Sequence, residues 1–185
     1  MTRRRLSLCA VALAVALLAG LVRTAFADED TKVPEKVKKL LSKEGAALLE
    51  TATRVEVFRI KPRPGPGAGG GQIAGYPITA KGKEQGKEFA AELRKVLYEE
   101  KSWTGQAKRC FDPGVVFRIH GEKRSIDVII CFACTNFRLN VNDEKGAPVV
   151  KTGGAFGPDI APLLKLAKKA FPDDAEIQGL KETGR

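Results

Sequence analysis

The spacing of apolar and polar residues switches several times along this chain between a helical period and a period of two. From Lys83 to Glu100, Phe89, Leu93, Val96 and Leu97 recur at helical spacing, which predicts an amphipathic helix with one face turned to a core. Pro34 to Leu49 reads the same way, with proline in its first turn, Val37, Leu40, Leu41 and Leu48 on one side, and Gly45 weakening its middle. Pro158 to Phe171 predicts a third helix, carrying Ile160, Leu163, Leu164 and Ala167 and stopped by Pro172. Between these stretches the period falls to two. Arg54 to Ile60 alternates, with Val55 and Val57 on one face and Glu56 and Phe58 on the other. Val115, Phe117 and Ile119 lead into a hairpin looped at Gly121 to Arg124, whose return strand buries Ile126, Val128, Ile130 and Phe132 opposite Asp127. Phe137, Leu139 and Val141 have the opposite parity, so a bulge or tight turn at Cys131 to Cys134 must absorb one residue. Ile73 to Thr79 and Ala147 to Lys151 add weaker extended segments. The expected fold is α+β, an antiparallel β-meander of about four to five strands packed against about two to three helices.

One apolar run fits neither pattern. Leu6 to Val22 follows Arg3, Arg4 and Arg5 and leads to the small-x-small site Ala25-Phe26-Ala27, so residues 1–27 predict a cleavable export signal. No other segment is long and apolar enough to span a bilayer. Residues 28–185 are then a single α+β domain, interrupted but not divided by a flexible Pro/Gly-rich loop at 62–71. The expected location is the periplasm, the cell envelope or the extracellular space. Arg3, Arg4, Arg5 and Arg23 leave with the signal, so the formal charge of +10 overstates the basicity of the exported protein. The lysines that stay alternate with acids, as in Lys83-Glu84-Gln85-Gly86-Lys87-Glu88, which builds a solvated helix face rather than a dense basic patch. With no reading motif either, nucleic acid is excluded as a partner. An envelope protein or an anionic surface polymer stays in view.

Export moves attention to Cys110, Cys131 and Cys134, which must be read in an oxidising compartment. Cys131-Phe-Ala-Cys134 has redox or metal-knuckle spacing, yet strand patterns flank it on both sides, and a thioredoxin-type thiol needs a helix N-terminus. Thr135 stands where haem attachment requires histidine. A hairpin closing around Glu122 and Lys123 sets Cys110 opposite Thr135, which favours a structural Cys110–Cys134 bridge, with Cys110–Cys131 as its competitor and one thiol left over. Zinc or copper on three cysteines needs a fourth ligand. His120 is ten residues from Cys110 along an extended strand and is expected as an exposed hairpin residue, while Asp112 could offer an oxygen. Neither a metal nor any other cofactor is assigned.

Other motifs lose their context. Gly65 to Gly70 satisfies G-x-G-x-x-G, but no helix opens after it to hold a pyrophosphate. No serine marks a nucleophile elbow near His120. Asp173-Asp174 and Glu99-Glu100 fall at helix ends, where solvation explains them, and Tyr98 and Trp103 are expected to seal the end of the long helix. No catalytic residue is assigned. The expectation is an exported non-enzymatic binding or structural module of the cell envelope. The alternative is a thiol-redox or metal-binding protein working through Cys110, Cys131 and Cys134.

Arg109-Cys-Phe-Asp-Pro-Gly-Val-Val-Phe-Arg118, Ile126-Asp-Val-Ile-Ile-Cys-Phe-Ala-Cys134, Gly75-Tyr-Pro-Ile78 and Phe171-Pro-Asp-Asp-Ala-Glu-Ile-Gln-Gly-Leu180 together resemble a group of small uncharacterised exported bacterial proteins with a C-F-x-C strand motif. The resemblance implies export and a single domain. It transfers no activity and no catalytic residue.

Overall fold

The computed structural model describes residues 33–62, 71–157 and 160–181, so the expected signal at 1–27, residues 63–70 of the Pro/Gly loop and Pro158 lie outside it. The described residues fall in one compact unit.

β-Branched and aromatic residues at alternating positions build seven strands: β1 (Arg54–Ile60), β2 (Gln72–Ile73), β3 (Tyr76–Lys81), β4 (Val115–His120), β5 (Ser125–Cys131), β6 (Asn136–Asn142) and β7 (Pro148–Ala155). They form one antiparallel sheet in the order β2-β3-β1-β4-β5-β6-β7. The sheet exceeds the expected four to five strands because both weaker segments pair fully: Ala147 to Lys151 grows into β7, and Ile73 to Thr79 is a hairpin rather than one segment. Its turn residues Ala74 and Gly75 have φ of 54° and 84°, the positive values a tight two-residue hairpin requires. β1 sits between β3 and β4, so only β4 to β7 are a meander. The central hairpin has the register read from the sequence, Val115 opposite Ile130 through His120 opposite Ser125. The parity change after β5 is absorbed by a tight turn that brings Cys131 opposite Asn136, with Thr135 at φ 55°.

Among the described residues four helices, α1 (Glu35–Thr51), α2 (Lys87–Tyr98), α3 (Ala161–Ala170) and the short α4 (Ala175–Gly179), supply the other elements, with a 3₁₀ turn at Glu100–Trp103. The helical stripes Val37/Leu41/Leu49, Phe89/Leu93/Leu97 and Leu163/Ala167 share one core with Val55, Val57, Phe117, Ile119, Val128, Ile130, Leu139 and Val141 of the sheet. α1 is broken at Ser42, where φ is 65°. Gly45 does more than weaken it: a Cβ there would lie 2.9 Å from Val141 Cγ2, so glycine is what lets α1 lie close on β6. Trp103 closes the end of α2 as expected, donating from Nε1 to the Leu97 carbonyl at 2.9 Å and packing edge-on to Phe137. Asp174, read as merely solvated, instead caps α4 by accepting from the Ile177 N–H at 2.9 Å, and it pairs with Arg59 at 3.0 Å. Burial opposes its ionisation, but the Ile177 N–H and the Arg59 guanidinium outweigh that and hold its carboxyl below the usual aspartate value.

The sheet curls into a half-barrel. Phe58, Ile60, Val116 and Ile129 on the face away from the helices are covered by Ile73 together with Ala74, Tyr76, Ile78 and Phe111. β5 is therefore buried on both faces, which explains its unbroken apolar run Val128-Ile-Ile-Cys131. Among the described residues no helix is long and apolar enough to cross a membrane.

Candidate functional site

Register alone brings the polar residues of the helix-free face into line. Glu56 lies opposite Arg118, Arg118 opposite Asp127, Asp127 opposite Asn140, and Asn140 opposite Lys151, a polar row crossing five strands. The next row along is apolar across Phe58, Val116 and Ile129, then ends in Arg138 on β6 facing Gly153 on β7. Parity puts these side chains on the one helix-free face.

Three of the four charges in the polar row are paired, Arg118 with Asp127 inside the row and Glu56 with residues beside it. Arg118 grips Asp127 through two bonds of 2.7 and 2.8 Å, and Asn142 donates to the same carboxylate at 2.9 Å. Those bonds to Asp127 hold the Arg118 guanidinium above the usual arginine value, against its burial. Glu56 receives Lys81 Nζ and His120 Nε2, each at 2.5 Å, with Arg54 at 3.5 Å. Burial works against ionisation of Glu56, but the bonds from Lys81 and His120 prevail and keep its carboxyl below the usual glutamate value. His120 is accordingly not the exposed hairpin residue expected of it. The diagonal across β1 and β4 folds it onto Glu56, leaving its side chain 21% exposed. Ser125, its neighbour across the hairpin, accepts from Asn142 Nδ2 at 3.1 Å.

Arg138 and Lys151 differ. They open onto a cleft of about 450 Å³ lined also by Ile129, Asn140, Thr152 and Gly153 and roofed by Ala74 and Tyr76 of the β2–β3 turn. Arg138 donates from Nη1 to the Tyr76 hydroxyl at 2.9 Å and lies over the Phe111 ring, 4.2 Å from its centroid. Among the described residues neither cation has a carboxylate within ion-pair distance. Reasoning from sequence passed over both. The signal available was parity: Arg138 lies between the core residues Phe137 and Leu139 and so must face outward.

The cysteines meet at the end of β5, where the sequence put them, with a different pairing. Cys131 is bonded to Cys134, and Cys110 is a free, exposed thiol. Neither Cys110–Cys134 nor Cys110–Cys131 forms. The tight turn between β5 and β6 returns the chain so sharply that Cys131 and Cys134 have Cα atoms 5.6 Å apart, within ordinary bridging distance. Cys110 still arrives beside them, its carbonyl oxygen 3.1 Å from Cys134 Sγ. The Asn136 side chain holds that stretch, accepting from Lys108 N–H at 3.1 Å and donating to the Lys108 and Cys110 carbonyls at 2.7 and 2.6 Å. Among the described residues no three His, Cys, Asp or Glu side chains converge to hold a metal ion. Asp112 and His120 do not join the sulfurs in such a group.

Compared with protein-family models, curated proteins and solved structures, the chain matches none.

Proposed function

We propose that this protein is an exported, non-enzymatic binding module of the cell envelope, and that the cleft between the β2–β3 turn and strands β5 to β7 holds the acidic groups of an anionic surface polymer. One observation carries the reading: Arg138 and Lys151 open onto the same cleft with no carboxylate partner among the described residues, while neighbouring charges of that face are paired off. Two exposed cations beside Tyr76, Asn140 and Thr152 suit a carboxylated sugar, whose acid group takes a charge-assisted bond, whose hydroxyls take amide and hydroxyl partners, and whose ring lies against an aromatic edge. Export, read from residues 1–27, and the resemblance to small exported bacterial proteins support the compartment this ligand needs.

Calorimetric titration with polygalacturonate, with neutral dextran as the control, tests the reading. Binding should fall steeply with salt, and the double variant Arg138→Gln/Lys151→Gln should lose about tenfold or more in affinity, as expected for two charge-assisted contacts. Lys123→Gln, on the far loop of the β4–β5 hairpin, should change nothing. No binding, or binding indifferent to the double variant, would refute the proposal.

A further inference from the structure

We infer that Cys110 and the Cys131–Cys134 bond form a three-sulfur exchange relay, in which the buried bond is opened by Cys110 from within the molecule. The inference stands apart from the cleft and does not rest on any ligand there.

Cys131 and Cys134 are 0% and 1% exposed, so a thiol arriving from solvent does not reach their bond, whereas Cys110 is exposed. Cys110 is placed deliberately. The Asn136 amide, just after the tight turn that carries Cys134, fixes the Cys110 carbonyl and that of Lys108. Its backbone thereby touches one sulfur of the pair, Cys134 Sγ at 3.1 Å.

The two bonded sulfurs are not equivalent. Cys131 Sγ accepts the Cys134 backbone N–H at 3.3 Å, which stabilises negative charge developing on it. Cys134 Sγ faces the Cys110 carbonyl oxygen, which disfavours charge there. A thiolate leaves best from the sulfur that holds charge best, so Cys134 is the sulfur attacked and Cys131 the leaving group. The step balances within the chain. Cys110 gives its proton to water and its thiolate attacks Cys134 Sγ; the Cys110–Cys134 bond forms as the Cys134–Cys131 bond breaks. The electron pair departs on Cys131, which takes a proton from water. Nothing is oxidised or reduced overall, and the bond passes from a buried pair to one that includes an exposed residue.

The test uses non-reduced protein purified from its native compartment. It is incubated in a glutathione redox buffer at mildly alkaline pH, quenched in acid and digested with pepsin, so that pairings do not scramble. The expected product is a Cys110 peptide joined through Cys134, alongside the Cys131–Cys134 form. In Cys110→Ser, a near-isosteric change at an exposed position, glutathione should reduce the remaining bond about tenfold more slowly, since the relay thiol is gone. An unaltered near-ultraviolet dichroism spectrum checks that the variant is folded. Finding no Cys110–Cys134 peptide, finding Cys110 joined to Cys131 instead, or an unchanged reduction rate in the serine variant would each overturn the relay.

Discussion

At Glu56 a single carboxylate meets Lys81 and His120 from the two flanking strands and Arg54 from its own, and its side chain is only 10% exposed. Leaving it charged works because Lys81 and His120 replace the water that burial removes. The sign of the pH effect follows. Its folded value lies below the unfolded one, so its stabilisation is complete above the usual glutamate range and is lost as pH falls through the lowered folded value. Glu56→Gln should therefore destabilise the protein at neutral pH by about 1 kcal/mol, a modest figure because Lys81 is half exposed and regains water. The gap between variant and wild-type melting temperatures should close as pH drops through the acid range. A gap independent of pH would mean that shape, not charge, is what Glu56 contributes. The same scale explains why the cysteine pairing was not legible: the Asn136 amide holds Cys110 beside Cys134, but the choice between partners is decided by a turn whose Thr135 adopts a left-handed conformation no β-branched residue advertises.

At the scale of elements, strands with strict alternation were legible because burial on one face imposes period two, and the β4–β5 register followed from its loop. The β2–β3 hairpin was not, since its first turn residue is Ala74 where asparagine or aspartate would have signalled a left-handed position. β7 runs to Ala155 rather than Lys151 because Thr152, Gly153 and Gly154 take their pairing from β6, not from their own propensity. α1 reverses a second rule. Gly to Ala inside a helix normally stabilises by about 1 kcal/mol, yet at Gly45 the added methyl would press on Val141 Cγ2 at 2.9 Å. Gly45→Ala should thus give no gain, or lose about 1 kcal/mol through overpacking. Adding Val141→Ala should recover part of the deficit, the coupling being read from a double-mutant cycle of urea denaturation. Additive effects would place the two residues out of contact.

Over the whole molecule, the candidate cleft exists only because the sheet curls. Tyr76 and Arg138 are 62 positions apart in the chain and join across a curved surface that no local pattern encodes. That closure rests on a small second core, Ile73 and the residues around it packing on Ile129, separate from the core under the helices. The β2–β3 hairpin lies at the sheet edge and is bonded on one side to β1 alone, which makes it the natural unit to open by itself. Ile73, 2% exposed, is the side chain that pins it. Ile73→Ala should remove about 2 to 3 kcal/mol from the hairpin. Hydrogen exchange should quicken at Ile78 and Lys61, whose N–H groups bond to Gly71 and Pro77, while amides of β4 to β6 keep their protection. Because Ala74 and Tyr76 roof the cleft, polygalacturonate binding should weaken in parallel although no cation has changed. Exchange that quickens uniformly across all seven strands would instead mean that the curled edge and the main sheet unfold as one, and that the cleft has no independent roof.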